Sequence, residues 1–262
     1  MSLPTQRVNL LLHGLCSTPD ELLSVNGVLS RAGLRVQNMM IPGYSFDPSK
    51  TRQEATSHES WIQSVIEEVR AIRAQGMGVN LIGLSAGVTV ALGVALQIPK
   101  EIDQLILLST PLIIDGWNIP FYHFLLPLAL YTPVGALWRY KESSPYGVKN
   151  ERIRQWIERE LVQRRVSQAG ASVLEVAHLR EHDRLRRAVM RNLPGQGLPN
   201  VMIIHAKEDE VAGLSNVKWL EERWQGGEVQ TLLLDNSYHM ITIDNDRAQV
   251  CAEILKCVSQ EH

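Results

Sequence analysis

The stretch GVNLIGLSAG, residues 78–87, constrains this chain more than any other. An apolar run suited to a buried strand breaks at Gly83-Leu84-Ser85-Ala86-Gly87, and the VTVALGVAL that follows suits a helix packed on a sheet. Strand, tight turn and helix are what a nucleophile elbow requires: small residues on either side of the reversal, and a hydroxyl left exposed at the helix N-terminus. A plainer reading has Ser85 capping an ordinary strand-to-helix turn. A dinucleotide-binding turn fits less well, because the first strand, LLLHGLCS, is not followed by G-x-G-x-x-G. An acid, a base and oxyanion donors in the right places decide between these readings.

The rest of the chain supplies the scaffold for such a turn. Strand-like runs recur at residues 7–12, 34–41, 78–84, 103–109, 200–206 and 229–234, and most are continuous rather than alternating, as in buried parallel strands. Helical patterns fall between them at 18–31, 57–74, 86–98, 213–225 and 243–258. In the second of these, Trp61, Ile62, Val65, Val69 and Ile72 share one face. The order predicts a doubly wound α/β fold with a mostly parallel central sheet flanked by helices.

The rhythm fails once, between Ser109 and Pro199, where about ninety residues stand in for a crossover that needs only a dozen or so. The expected division is a core of residues 1–110 and 191–262 with a helical cap inserted at 111–190. The first part of the cap, residues 119–140, is strongly apolar, and its expected role is to line a pocket for an acyl chain. Pro120, Pro127 and Pro133 interrupt it, so stable membrane insertion is not expected. Residues 150–166 read as an amphipathic helix with Ile153, Trp156 and Ile157 on one face.

Composition excludes several partner classes. Of 262 residues, 45% are hydrophobic and 21% charged, which is globular, and a net charge of -2 offers nothing to a phosphate backbone, so no nucleic-acid partner is expected. The most basic stretch, 151–191, carries ten arginines against six acids and reads as a helical surface. The N-terminal MSLPTQRVNLLLHG runs into a strand without a cleavage site, which points to the cytoplasm. Cys16, Cys251 and Cys257 form no metal-ligand spacing, and no metal or organic cofactor is implied. No feature of the sequence fixes an oligomeric state.

The partners that Ser85 needs stand where this fold puts them. Asp209 lies just past the strand VMIIHA, with Glu208 and Glu210 beside it as rivals, and His239 follows the strand TLLLD. Serine, aspartate and histidine in that order match one known chain order of a catalytic triad. Asp235, four residues before the histidine, is a further rival acid. The oxyanion donors expected are the backbone N–H groups of Ala86, next to the nucleophile, and of Leu15, in the loop after the first strand. His13 is expected to prop that loop, and His205 to be structural. His58, His178 and His182 lack carboxylates at metal spacing.

Taken together, LLLHGL at 10–15, GLSAG at 83–87, HAKEDEVA at 205–212 and NSYHMITIDNDRAQV at 236–250 resemble the small bacterial serine carboxylesterases and monoacylglycerol lipases of the α/β-hydrolase superfamily. The resemblance covers most of the chain outside the cap, and its most specific part is the histidine followed by an apolar-Thr-x-Asp run. It implies hydrolysis of short- or medium-chain esters or monoacylglycerols, a small-molecule ester or lipid-like substrate, through an acyl-enzyme on Ser85. An acyl-thioesterase or acyltransferase would use the same groups, and a catalytically silent interaction protein would keep only the scaffold.

Overall fold

The computed structural model describes residues 6–50, 53–133, 139–141, 143–164, 166–167, 170–171 and 173–260. Strands and helices first alternate as the sequence predicts: β1 (Arg7–Leu12), α1 (Leu23–Arg31), β2 (Arg35–Asn38), α2 (His58–Ala74), β3 (Gly78–Leu84), α3 (Ala86–Gln97) and β4 (Gln104–Leu108). An excursion follows through α4 (Leu126–Tyr131), β5 (Arg139–Lys141), α5 (Glu151–Arg164), β6 (Val166–Ser167), β7 (Gly170–Ala171), β8 (Val173–Glu175) and α6 (Val176–Asn192). The chain then returns as β9 (Asn200–Ala206), α7 (Ser215–Arg223), β10 (Val229–Leu234) and α8 (Arg247–Ser259).

The six main strands form one sheet in the order β10-β9-β4-β3-β1-β2, and every pairing is parallel. The chain enters at β1, moves out to β2, crosses back over β1 to β3, and steps outward again through β4, β9 and β10. The reversal therefore lies between β1 and β3, which run side by side with Leu12 opposite Gly83. In open α/β sheets the ligand crevice opens beyond the carboxyl ends of the strands at such a reversal. That juxtaposition brings the loop after β1 to the turn after β3.

Both faces of the sheet are covered, which is why its strands read as unbroken apolar runs. Leu10, Leu12, Leu81, Leu105, Leu107 and Ile203 pack under α2, α3 and α7, while Leu11, Ile82, Leu84, Ile106, Leu108 and Ile204 pack under α1 and α8. The five residues predicted to form the inner face of α2 are all buried there, and the Ser57 hydroxyl caps that helix by accepting the Ser60 N–H. The three cysteines are buried thiols. Strand β2 is shorter than the apolar pattern at 34–41, because the chain leaves the sheet edge after Asn38.

The excursion differs from the expected cap in two respects. Most of helix α6 falls within 111–190, yet its Leu185 and Val189 lie in the same buried cluster as α2 and α3. A parallel step from β4 to β9 needs a helix on the face of the sheet, and α6 is that helix. The part standing apart from the sheet's own layers thus ends near Glu175. The apolar stretch is also less inward-facing than expected: Leu130 is buried, but Phe124, Leu125 and Leu128 are 66%, 46% and 59% exposed. Residues 134–138 of that stretch, and residues 1–5 on which the leader reading rests, lie outside the described residues. Among the described residues no helix is long and apolar enough to cross a membrane. In α5, Ile157 is fully buried and Ile153 packs on the α1/α8 side, while Trp156 turns partly to solvent.

Candidate active site

Ser85 occupies a conformation that residues with side chains seldom adopt, with φ 52° and ψ -122°. A non-glycine residue in such a region costs on the order of 1–3 kcal/mol and persists only where its surroundings dictate it. Here the Ser85 N–H donates to the Leu108 carbonyl at 2.9 Å and the Ser85 carbonyl accepts from Val88 at 2.8 Å. The flanking glycines are sterically required. A Cβ on Gly83 would come within 2.6 Å of the Gly87 carbonyl oxygen, and one on Gly87 within 2.2 Å of the Leu12 carbonyl oxygen. Both obstacles are backbone, so neither can swing away. Gly87→Ala is accordingly expected to separate α3 from the end of β1, lowering the melting temperature by roughly 2–10 °C. A scanning calorimetry trace that matches the wild type would contradict this account.

The structure brings Ser85, His239 and Asp209 together. Nε2 of His239 is 2.8 Å from the Ser85 hydroxyl, and Nδ1 is 2.8 and 3.0 Å from the two carboxylate oxygens of Asp209. Asp209 is fixed in turn by the N–H groups of Val211 and Ala212, both donating to Oδ1. Burial alone would push its carboxyl up. The charge and hydrogen bond of His239, with help from His205 and the Ala212 N–H, outweigh that and hold it below the usual carboxylate range. His239 arrives on the loop after β10 and is anchored by the Ser109 hydroxyl, which donates to its carbonyl at 2.6 Å.

The rival acids are engaged elsewhere. Glu208 pairs with Lys149, and the exposed Asp235 pairs with Lys207. Glu210 is buried, and its Oε2 accepts the backbone N–H of His239 at 3.1 Å. Burial pushes the Glu210 carboxyl up, with the neighbouring Asp209 charge acting in the same direction against the pull of His239.

The loop after β1 approaches the same crevice. The Gly14 N–H donates to Oε2 of Glu21 at 2.6 Å and the Cys16 N–H to the Tyr44 carbonyl at 2.9 Å. Between them the Leu15 N–H has no partner among the described residues, and neither has the Ala86 N–H at the start of α3. His13 contacts the Gly14 carbonyl through Nδ1 and the Ser45 hydroxyl through Nε2, and burial pulls its pKa down to about 4. It is a neutral ring that donates to Gly14 and accepts from Ser45.

Other histidines are placed by the fold. His205 donates through Nε2 to the Ala212 carbonyl at 2.7 Å, and burial lowers its pKa. His182 meets the Thr89 hydroxyl, with its pKa lowered to about 4 by burial. His58 departs from expectation, since two carboxylates flank it: Glu181 lies 3.0 Å from Nδ1 and Glu59 lies 3.3 Å from Nε2. These three groups are close enough to hold a cation. Glu181 is distant in sequence, so spacing alone gave no sign of the contact.

Several supporting residues had no signal, or only a weak one, in the sequence. Asp115 accepts from the Gly213 N–H and the Ser215 hydroxyl, Gly116 and Asn118 donate to the carbonyls of Val211 and Glu210, and Trp117 donates through Nε1 to the Glu208 carbonyl. The root of the excursion thereby braces the loop that carries Asp209. Within the apolar-Thr-x-Asp run, Thr242 donates to the Glu21 carbonyl, and Asp244 accepts from the N–H groups of Tyr238, Lys149 and Asn150.

Comparison with known proteins bears on the family and the fold. A family model described as serine aminopeptidase, S33, matches residues 4–246. No curated protein matches the sequence. Among solved structures, one from a study of the metagenome-derived lipolytic enzymes LipS and LipT aligns with a TM-score of 0.78 at 20% identity, covering 99% of this chain and 96% of that one. A monoacylglycerol lipase from Paleococcus ferrophilus aligns at 0.76 and 14% identity over 96% and 93% of the two chains. A soluble variant of monoglyceride lipase from Saccharomyces cerevisiae, in complex with a substrate analogue, aligns at 0.75 and 15% identity over 99% and 87%. At these identities the likeness establishes the α/β-hydrolase fold.

Proposed function

We propose, from the premise that the chain belongs to the serine aminopeptidase S33 family of hydrolases, that it cleaves carboxyl esters with an apolar acyl group through an acyl-enzyme on Ser85. The observation that carries this reading is the unbroken hydrogen-bonded line from the Ser85 hydroxyl through His239 to a buried Asp209. A serine hydroxyl is a weak nucleophile at neutral pH, and a base within 2.8 Å removes that obstacle.

In the proposed reaction His239 Nε2 takes the hydroxyl proton as Oγ bonds to the ester carbonyl carbon. The carbonyl oxygen becomes an oxyanion and accepts from the Leu15 and Ala86 N–H groups, at the positive end of α3. The imidazolium then gives its proton to the alcohol oxygen as the carbon–oxygen bond breaks. Water, deprotonated by the same nitrogen, releases the acid and restores Ser85. Asp209 holds the Nδ1–H tautomer throughout.

An apolar acyl group suits the surroundings of the oxyanion loop. Cys16 and Phe46 are buried together there, with Leu15 and Leu174 packed on them, so an apolar wall adjoins the proposed donors. The lipolytic activity named for the structural relatives points to the same class. The outward-facing Phe124, Leu125 and Leu128 leave the depth of the acyl site to those four residues and to the rest of the cap.

The test is a series of p-nitrophenyl esters from acetate to palmitate, run beside acyl thioesters and aminoacyl anilides. Turnover peaking at medium chains is the expected outcome. A preference for thioesters would move the protein to the thioesterase class, and a preference for aminoacyl anilides would make it the peptidase that its family name describes. A peak at acetate would contradict an extended apolar site.

A further inference from the structure

We propose that Glu21 is a positioning residue for the oxyanion loop: its buried carboxyl group fixes the Gly14 N–H, and so aims the N–H of Leu15 at the substrate carbonyl. The proposal rests on the catalytic reading above and adds to it a residue that does not touch the substrate.

Three observations support it. Glu21 is 3% exposed, and among the described residues no lysine or arginine is paired with it. A carboxyl group left in such surroundings without a cation is costly and calls for a compensating role. Its Oε2 lies 2.6 Å from the Gly14 nitrogen, and both carboxylate oxygens press on the open face of that glycine, within 3.0 and 3.3 Å of where a Cβ would stand. A side chain there would force the carboxyl to give way by a few tenths of an ångström. The N–H groups on either side of Leu15 are both tied back into the protein, by Glu21 and by the Tyr44 carbonyl, while the intervening one has no partner among the described residues. The Thr242 hydroxyl donates to the Glu21 carbonyl at 2.7 Å and couples this clamp to the loop that carries His239.

The groups facing the carboxyl are the Gly14 N–H and Ser17 hydroxyl of its own segment, His239 from the loop after β10, and Tyr44 and Cys16. Burial pushes Glu21 up to about 7, against the opposing pull of Gly14, Ser17 and His239. Below that pH it is a neutral acid.

The test compares Glu21→Ala and Glu21→Gln with the wild type, using kcat and KM on the preferred p-nitrophenyl ester. Glu21→Ala is expected to lower kcat by roughly ten- to a hundredfold with little change in KM, because a misaimed donor is felt mainly in the transition state. Glu21→Gln keeps an oxygen acceptor for Gly14 and is expected to recover most of kcat. A Glu21→Ala enzyme with wild-type kcat, or a Glu21→Gln enzyme whose kcat is as low as that of Glu21→Ala, overturns the assignment. Should the alanine variant fail to fold, Glu21→Gln decides alone: a kcat more than about tenfold below the wild type with the oxygen acceptor retained overturns the assignment. Labelling of the wild type by an active-site phosphonate runs in parallel. No adduct on Ser85 defeats the catalytic reading itself, whereas an adduct with an indifferent Glu21 defeats only this proposal.

Discussion

Replacing Ser85 with alanine is expected to lower kcat for ester hydrolysis on the order of 10⁶-fold, the scale on which a serine hydrolase loses its nucleophile. The loss follows from chemistry rather than folding. Alanine preserves the backbone bonds from Ser85 to Leu108 and Val88 and removes only the oxygen that His239 faces at 2.8 Å. The melting temperature should therefore stay within a few degrees of the wild type, and any residual rate over water would come from the oxyanion donors and substrate binding. A phosphonate probe should form one adduct, on Ser85, that mass spectrometry no longer finds in the variant. If Ser85→Ala kept even a tenth of the wild-type rate, the chemistry would have to be placed elsewhere.

The second large effect concerns Asp209. Asp209→Asn is nearly isosteric and retains a carbonyl oxygen for the Val211 and Ala212 N–H groups, yet kcat should fall by about 10⁴-fold. An amide that turns its NH₂ toward His239 Nδ1 demands the opposite tautomer, which places a proton on Nε2 and turns the base into a donor toward Ser85. Glu210 cannot take over, because its carboxyl accepts the backbone N–H of His239 rather than the ring. The same geometry fixes the pH behaviour. With its pKa held below the usual carboxylate range, Asp209 stays anionic throughout the neutral region and contributes no ionisation of its own there. Stopped assays of the purified variant decide the matter: a loss smaller than about tenfold would show that some other acid orients the imidazole.

Much of this arrangement was legible before any coordinates. The strands were visible because a sheet buried on both faces leaves long apolar runs, and Ser85, Asp209 and His239 were visible because each follows such a run. The nearness of the loop after β1 to the turn after β3 is reachable by the same logic, since the two must be neighbours once the sheet reverses between them. What the residues could not announce were contacts made across long sequence separations by groups of ordinary type. Glu21 is one acid in a polar segment until the fold buries it. Glu181 has no relation to His58 until α6 is laid against α2. Helix α6 itself was hidden by its charge: a stretch this rich in arginine reads as surface, although Leu185 and Val189 suffice to seat it in the core. The pull of Phe124, Leu125 and Leu128 toward a pocket was overestimated for a related reason, because apolar character does not state which way a short helix turns.

The fastening of Asp115, Gly116, Trp117 and Asn118 to the acid loop gives the excursion a fixed root. At its far end α6 is equally fixed, as part of the core. Between these ends the Lys149 and Asn150 N–H groups are held by Asp244, and Val148 and Ile157 are buried in the core, so exchangeable pieces fall to either side of residues 147–157 rather than across them. Substrate range in such a molecule can diversify by grafting: the first interchangeable piece begins after the strap on the acid loop, about ten residues later than the end of β4 would indicate, and a graft cut at the strand end would discard the strap along with the cap.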